Sequence, residues 1–231
     1  MKRSLVLLSL CVVLFCGGFG GPAPQSGAGG SATSGDVYMI DDFEDGNFNS
    51  NPEWWRFDNV TVNVVSNAEM RNGDPSVAAG VGKLSLSVTG NASDWYAGGI
   101  GTYIARKGVD LGKYNAISID IYGYGPGSGS IKIELVDDDK GNWQVEQDSR
   151  GVPLYDDKFA YTQLVDWSGW KRVVIPFSDF SLDNPGRGDG VLDISQRNGG
   201  GGLLQMQMIF IASKKIGSLR YAIDNISLVK K

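Results

Sequence analysis

The sequence predicts an all-β protein built as a two-sheet β-sandwich of the jelly-roll kind, and three observations carry this. Short runs alternate apolar and polar residues with a period of two, the pattern of strands buried on one face only. Turn-forming residues punctuate the runs, with 33 glycines and 8 prolines in 231 residues. No stretch carries the 3.6-residue periodicity of an amphipathic helix. About eight to ten such runs fit two packed sheets.

The elements follow in order. "MKR" and then the apolar "SLVLLSLCVVLFC" make residues 1–16 an export signal, too short to span a bilayer as a mature helix. Cys16 before Gly17 and Gly18 suggests a lipoprotein site, with Phe15 where a small residue is the rule. Lipidation there tethers the protein by acyl chains, and cleavage without it releases the protein. An exported location is expected in either case: cell surface, periplasm or outside. Residues 17–35 are a Gly/Ser/Pro linker with nothing to form a core. Residues 36–231 are the domain.

Within it, "MIDDFEDGNFNSNPEWWRF" crowds Asp41, Asp42, Glu44 and Asp45 ahead of a tryptophan pair. Trp54 reads as core; Trp55 is open between core and surface. "KLSLSVTG", "AISIDIYGYG" and "IKIELV" alternate cleanly, and "KRVVIPF", "LLQMQMIFIA" and "LRYAIDNISLV" read as further strands. Long loops are expected over residues 137–160 and 181–202.

Composition excludes several chemistries. The only cysteines, Cys11 and Cys16, lie in the signal, and histidine is absent, which removes Ser/His and Cys/His nucleophile systems and the usual zinc ligands. With 26 acids against 21 bases the net charge is −5, which repels nucleic acid and anionic lipid. A non-enzyme is expected. A hydrolase working with paired carboxylates is the remaining catalytic reading. Asp42 and Glu44 are candidate oxygen ligands for a structural Ca²⁺. Asp224, a lone carboxylate in the apolar run "AIDNISL", is a candidate partner that lets one ion clip the first strand to the last. "DDDKGN", Asp137 to Asn142, lacks the spacing of an EF-hand loop and reads as a polar hairpin turn. Aromatic side chains on a sheet face can stack on sugar rings while carboxylates and amides bond the hydroxyls. The candidates are Trp95, Tyr122 and Tyr161, with Asp120, Glu134 and Asp137. Asp120 and Tyr122 on one run, and Lys132 and Glu134 on the next, are expected to share a face.

Four segments in this order, "MIDDFEDG", "YNAISIDIYG", "SGWKRVVIPFSDF" and "YAIDNISLVKK", resemble carbohydrate-binding module family 11. More loosely they resemble the galactose-binding-like jelly rolls that include the complex I intermediate-associated protein family. The resemblance covers about residues 38 to 231. It implies a non-catalytic jelly roll that binds β-glucan-like chains in a concave cleft. It also implies a structural Ca²⁺ between the acidic segment and the last strand, at Glu44 and Asp224, completed by a backbone carbonyl near Lys83. On the cleft it places Phe57, where the family has a tyrosine, together with Trp95, Tyr161 and Asp137. The family's later cleft tyrosine has Leu182 or Asp183 in its place. The expected partner is a polysaccharide or glycan. An envelope structural module, with a protein partner on the same fold, is the alternative.

Overall fold

Ile117, Ile119 and Ile121 of one alternating run and Ile131, Ile133 and Leu135 of the next are all fully shielded from solvent, within one buried cluster. Each such side chain stabilises the fold by roughly 1.5–3 kcal/mol through burial alone. The computed structural model describes residues 37–196 and 201–231. The expected signal, linker and Cys16 lie outside them.

The elements run β1 (Val37–Asp41), β2 (Trp54–Asp58), β3 (Val60–Ser66), a short helix α1 (Pro75–Gly80), β4 (Leu84–Ala92), β5 (Tyr96–Tyr103) and β6 (Ala116–Tyr124). They continue as β7 (Gly129–Asp137), β8 (Lys158–Val165), β9 (Ser168–Pro176), β10 (Ser181–Leu182), β11 (Leu203–Ile211) and β12 (Gly217–Val229). All strand pairings are antiparallel. The first sheet is ordered β3-β4-β12-β6-β9, with β1 also on β12; the second is β10-β8-β7-β11-β5-β2. This is the β-sandwich jelly roll expected from the alternation.

β12 shows how sequence sets register. Its core residues run Tyr221, Ile223, then Ile226 and Leu228, so the phase slips by one residue in the middle. A strict two-residue period would turn the second pair outward. A bulge absorbs the slip: pairing with β6 shifts between Asp224 and Ser227, and Asn225 takes φ 47°. Asparagine tolerates that left-handed conformation better than most residues. At its other end β12 pairs with β1, so Val37 lies opposite Val229 and the chain enters and leaves the domain side by side.

β6 and β7 look like a hairpin but join different sheets, linked by the tight Gly125–Ser128 turn. Asp120 and Tyr122 therefore do not share a face with Lys132 and Glu134. The outer surface of the first sheet around Tyr122 is also covered by the segment between β3 and β4. Tyr122 packs with Trp170, Met70, Val77 and Val81, and is 7% exposed. Trp170 donates to the Met70 carbonyl at 2.9 Å. α1 belongs to this cover. Asp74 caps it, accepting from the Ser76 amide at 2.9 Å, and Pro75 opens it. Six residues are too few to show a helical period in the sequence.

Candidate functional site

The inner row of the second sheet, Trp54–Thr102–Met206–Leu135–Phe159–Leu182, faces the core. Shifting by one residue along each strand gives the outer row Trp55–Gly101–Gln207–Glu134–Ala160–Ser181. The rows flanking it are Phe57–Gly99–Ile209–Lys132–Thr162 and Tyr103–Gln205–Val136–Lys158. Six strands about 4.8 Å apart give this face a width of roughly 24 Å.

The face has two halves. On β2 and β5, the rings of Trp55 and Phe57 lie over the backbone at Gly101 and Gly99, where any Cβ would fall onto them. Glycine inside a strand here makes room for a ring. Trp55 and Tyr103 stand with ring centroids 5.5 Å apart, and Tyr103 is 47% exposed. Burial raises the Tyr103 pKa, while a hydrogen bond with Gln205 pulls the other way. Tyr96, exposed at the start of β5, donates to the Asp58 carboxylate.

The other half is charged. Lys132 Nζ lies 2.8 Å from Glu134 and 2.9 Å from Asp183; Lys158 Nζ lies 3.3 Å and 3.0 Å from the same two acids. Burial works against the Lys132 ammonium, but hydrogen bonds to Glu134 and Asp183 outweigh it and raise its pKa. Burial likewise works against the Asp183 carboxylate, but hydrogen bonds from Lys132 and Lys158 win and hold its pKa below the usual value. Between the halves lies an amide strip, with Gln207 Nε2 donating to Gln205 Oε1 at 2.8 Å.

Of the residues expected to touch sugar, Phe57 and Glu134 lie together on this face. Trp95 is 49% exposed but sits in the β4–β5 turn at φ 66°, beside the face. Tyr161 pairs with Ile133 and so points inward, where its ring meets Phe180 at 5.8 Å. Tyr122 is under the cover of the first sheet. Asp120 is fully buried and held by Arg172 through two contacts of 2.7 Å, with Asn225 Nδ2 at 2.9 Å. Asp137 is fully buried at the end of β7, off the face. Sequence reasoning missed Tyr103, Gln205, Gln207 and Lys158. The signal was there: "GGIGTY" puts Gly99, Gly101 and Tyr103 on one side of a strand.

The acids expected to bind an ion do approach one another around the β12 bulge. Glu44 Oε1 accepts from the Lys83 and Leu84 amides at 2.7 and 2.8 Å. Asp42 Oδ1 accepts from the Glu44 amide at 3.3 Å. Asp224 is 1% exposed; Oδ1 accepts from the Asn225 amide at 2.8 Å and Oδ2 has no partner. Burial, with the carboxylates of Asp120, Glu44 and Asp42 nearby, pushes its pKa to about 8. An unpartnered buried carboxylate among other carboxylates suits a hard cation. Lys83 meets the cluster by its amide, while its carbonyl accepts from Asn67 N at 2.7 Å. Among the described residues, the acids that gather three ligand oxygens within 4.8 Å are different ones: Asp137, Asp139 and Asp157.

No family profile and no curated protein matches the chain. Solved structures do. The chain is 23% identical to a family 11 carbohydrate-binding module from Clostridium thermocellum, solved with a β-1,3-1,4-mixed-linked tetrasaccharide. The match covers 87% of this chain and 98% of that one, with a TM-score of 0.51. The family 11 module of the C. thermocellum cellulosomal cellulase Lic26A-Cel5E matches at 23% identity, covering 87% and 97%, with a TM-score of 0.49. The fold is that of the family 11 jelly rolls. Fold and face together define a β-sandwich with one sheet covered around Tyr122 and the other presenting aromatic and polar side chains.

Proposed function

We propose that this domain is a non-catalytic carbohydrate-binding module that takes a polysaccharide chain across the outer face of its second sheet. The observation that carries this is the outer row Trp55–Gly101–Gln207–Glu134, in which a ring packed over the Gly101 backbone is continuous with amide and carboxylate groups. The rings of Trp55 and Tyr103 offer stacking surface to the apolar face of a pyranose. Gln207, Glu134, Lys132 and Asp183 supply donors and acceptors for hydroxyls. Affinity is then modest for one chain and grows when several copies bind one polymer. A calcium ion among Asp42, Glu44 and Asp224 would fix the acidic segment to the β12 bulge, in a structural role. An exported protein, tethered by lipid at Cys16 or released, fits a polymer ligand outside the cell.

The test is calorimetric titration with mixed-linked β-glucan oligosaccharides, after a screen on a broad glycan array. Binding by the folded protein, weakened about tenfold in Trp55→Ala and in Tyr103→Ala, is expected (~1.4 kcal/mol per tenfold). Folded protein that binds nothing on the array would overturn this reading and favour an envelope protein-interaction module instead.

A further inference from the structure

The loops that follow β7 and β10 close on each other around three aspartates. Asp137 ends β7, Asp139 stands two residues on, and Asp157 is the last residue before β8. One carboxyl oxygen from each lies within 4.8 Å of the others. Asp137 and Asp157 are fully buried. The loop after β10 wraps the cluster by its backbone. Asp193 N donates to Asp137 Oδ2 at 2.6 Å, Gly188 N to Asp157 Oδ1 at 3.2 Å, and Gly190 N to Asp157 Oδ2. The Asp157 and Asp189 amides both donate to Asp139, the former at 2.9 Å. Gly188 presses so closely that a Cβ there would run into the Asp139 and Asp157 carboxyls.

Amides satisfy lone pairs but do not cancel three charges. Among the described residues, no Lys or Arg forms an ion pair with any of the three. One observation points to a ligand independently of the clustering. Asp137 Oδ1, on a fully buried side chain within the trio, has no hydrogen-bond partner. Buried carboxyls left this way are paired, coordinate a metal or hold a proton, and three of them converging on one point favour the metal. The donors are all oxygen, which selects a hard cation over zinc or copper. Ca²⁺ holds its oxygens at about 2.3–2.6 Å, so two on opposite sides of one ion stand roughly 5 Å apart, in line with the observed spacing.

We propose that Asp137, Asp139 and Asp157 hold a calcium ion that clamps the β7–β8 and β10–β11 loops together, separate from the ion at Glu44 and Asp224. The site also touches the glycan face. Lys158 follows Asp157 directly, and its ammonium holds Glu134 and Asp183. Losing the ion therefore loosens the charged half of that face. This last consequence rests on the glycan reading; the ion count does not.

The experiment is calcium stoichiometry by native mass spectrometry and titration calorimetry on metal-stripped protein. Wild type, Asp139→Asn, Asp224→Asn and the double variant are compared. Asp139 is half-buried, and asparagine keeps an acceptor for the Asp157 amide, so this variant should fold. Near-UV circular dichroism matching wild type checks that. The expected result is one fewer calcium in Asp139→Asn than in wild type, and a melting temperature in Asp224→Asn that calcium still raises. In the double variant calcium should have no effect. Glycan affinity of Asp139→Asn should fall severalfold. Unchanged stoichiometry in Asp139→Asn, loss of all calcium in Asp224→Asn, or equal stabilisation by magnesium alone would each overturn the proposal. Calcium binding without any glycan binding would leave it standing and sink only the functional reading.

Discussion

Gly101 carries the aromatic half of the proposed glycan face, because only a residue without Cβ lets the Trp55 ring lie against the strand. Gly101→Ala is expected to lift that ring and cut glycan affinity about tenfold, with the fold retained since the ring can move outward. Unaltered affinity in calorimetry would show that the ring does not contact the ligand. On the charged half, Asp183 sets a pH limit. Its folded pKa is depressed from 3.8, so its contribution is complete above that value and is lost as pH falls through the lower folded pKa. The Asp183→Asn variant should therefore match wild type more closely in strong acid than near neutrality. The difference stays small, because the side chain is 32% exposed and partly screened. Melting temperatures of the two proteins on either side of pH ~4 check this.

At the scale of the element, β12 depends on Asn225. The left-handed conformation costs a β-branched residue about 1–2 kcal/mol or more. Both Asn225→Val and Asn225→Gly lose the Nδ2 hydrogen bonds to Asp120 and the Gly80 carbonyl, so both should lower stability, and Asn225→Val should lower it further by that conformational amount. Denaturant midpoints measure both, and equal midpoints would remove the bulge from the account. The strands themselves were legible. Ile117, Ile119 and Ile121, or Met206, Met208 and Phe210, announce their buried side by spacing alone. Sheet membership was not legible, because a two-residue period fixes which residues share a face of one strand and leaves open which strand comes next in space. Hence Asp120 and Glu134, both on the polar side of adjacent strands, end in different sheets. Tyr161 failed for the related reason that its strand phase is set by pairing with Ile133. The segment "DDDKGN" reads as a simple turn because Asp157 and the Gly188 loop, which complete its acid cluster, are distant in sequence.

At the scale of the molecule, the acids do what disulfides cannot in a domain without cysteine. Carboxylates around the β12 bulge and between the long loops hold its irregular parts, and ions at both would tie them to the sandwich. Removing calcium with excess chelator should lower the melting temperature. An ion present at 100 times its dissociation constant adds about 2.7 kcal/mol by mass action. An unchanged melting curve would exclude a stabilising ion at either place.

Val37 and Val229 are neighbours on the first sheet, while the rings of Trp55, Phe57 and Tyr103 belong to the layer behind it. The domain thus has a handle and a working side. Whatever is fused ahead of Val37 or after Lys231 leaves from the handle and does not crowd the rings. Immobilising the protein through either end should give the same glycan affinity as in free solution. A surface-plasmon measurement in which one orientation alone abolished binding would place the ligand on the wrong layer.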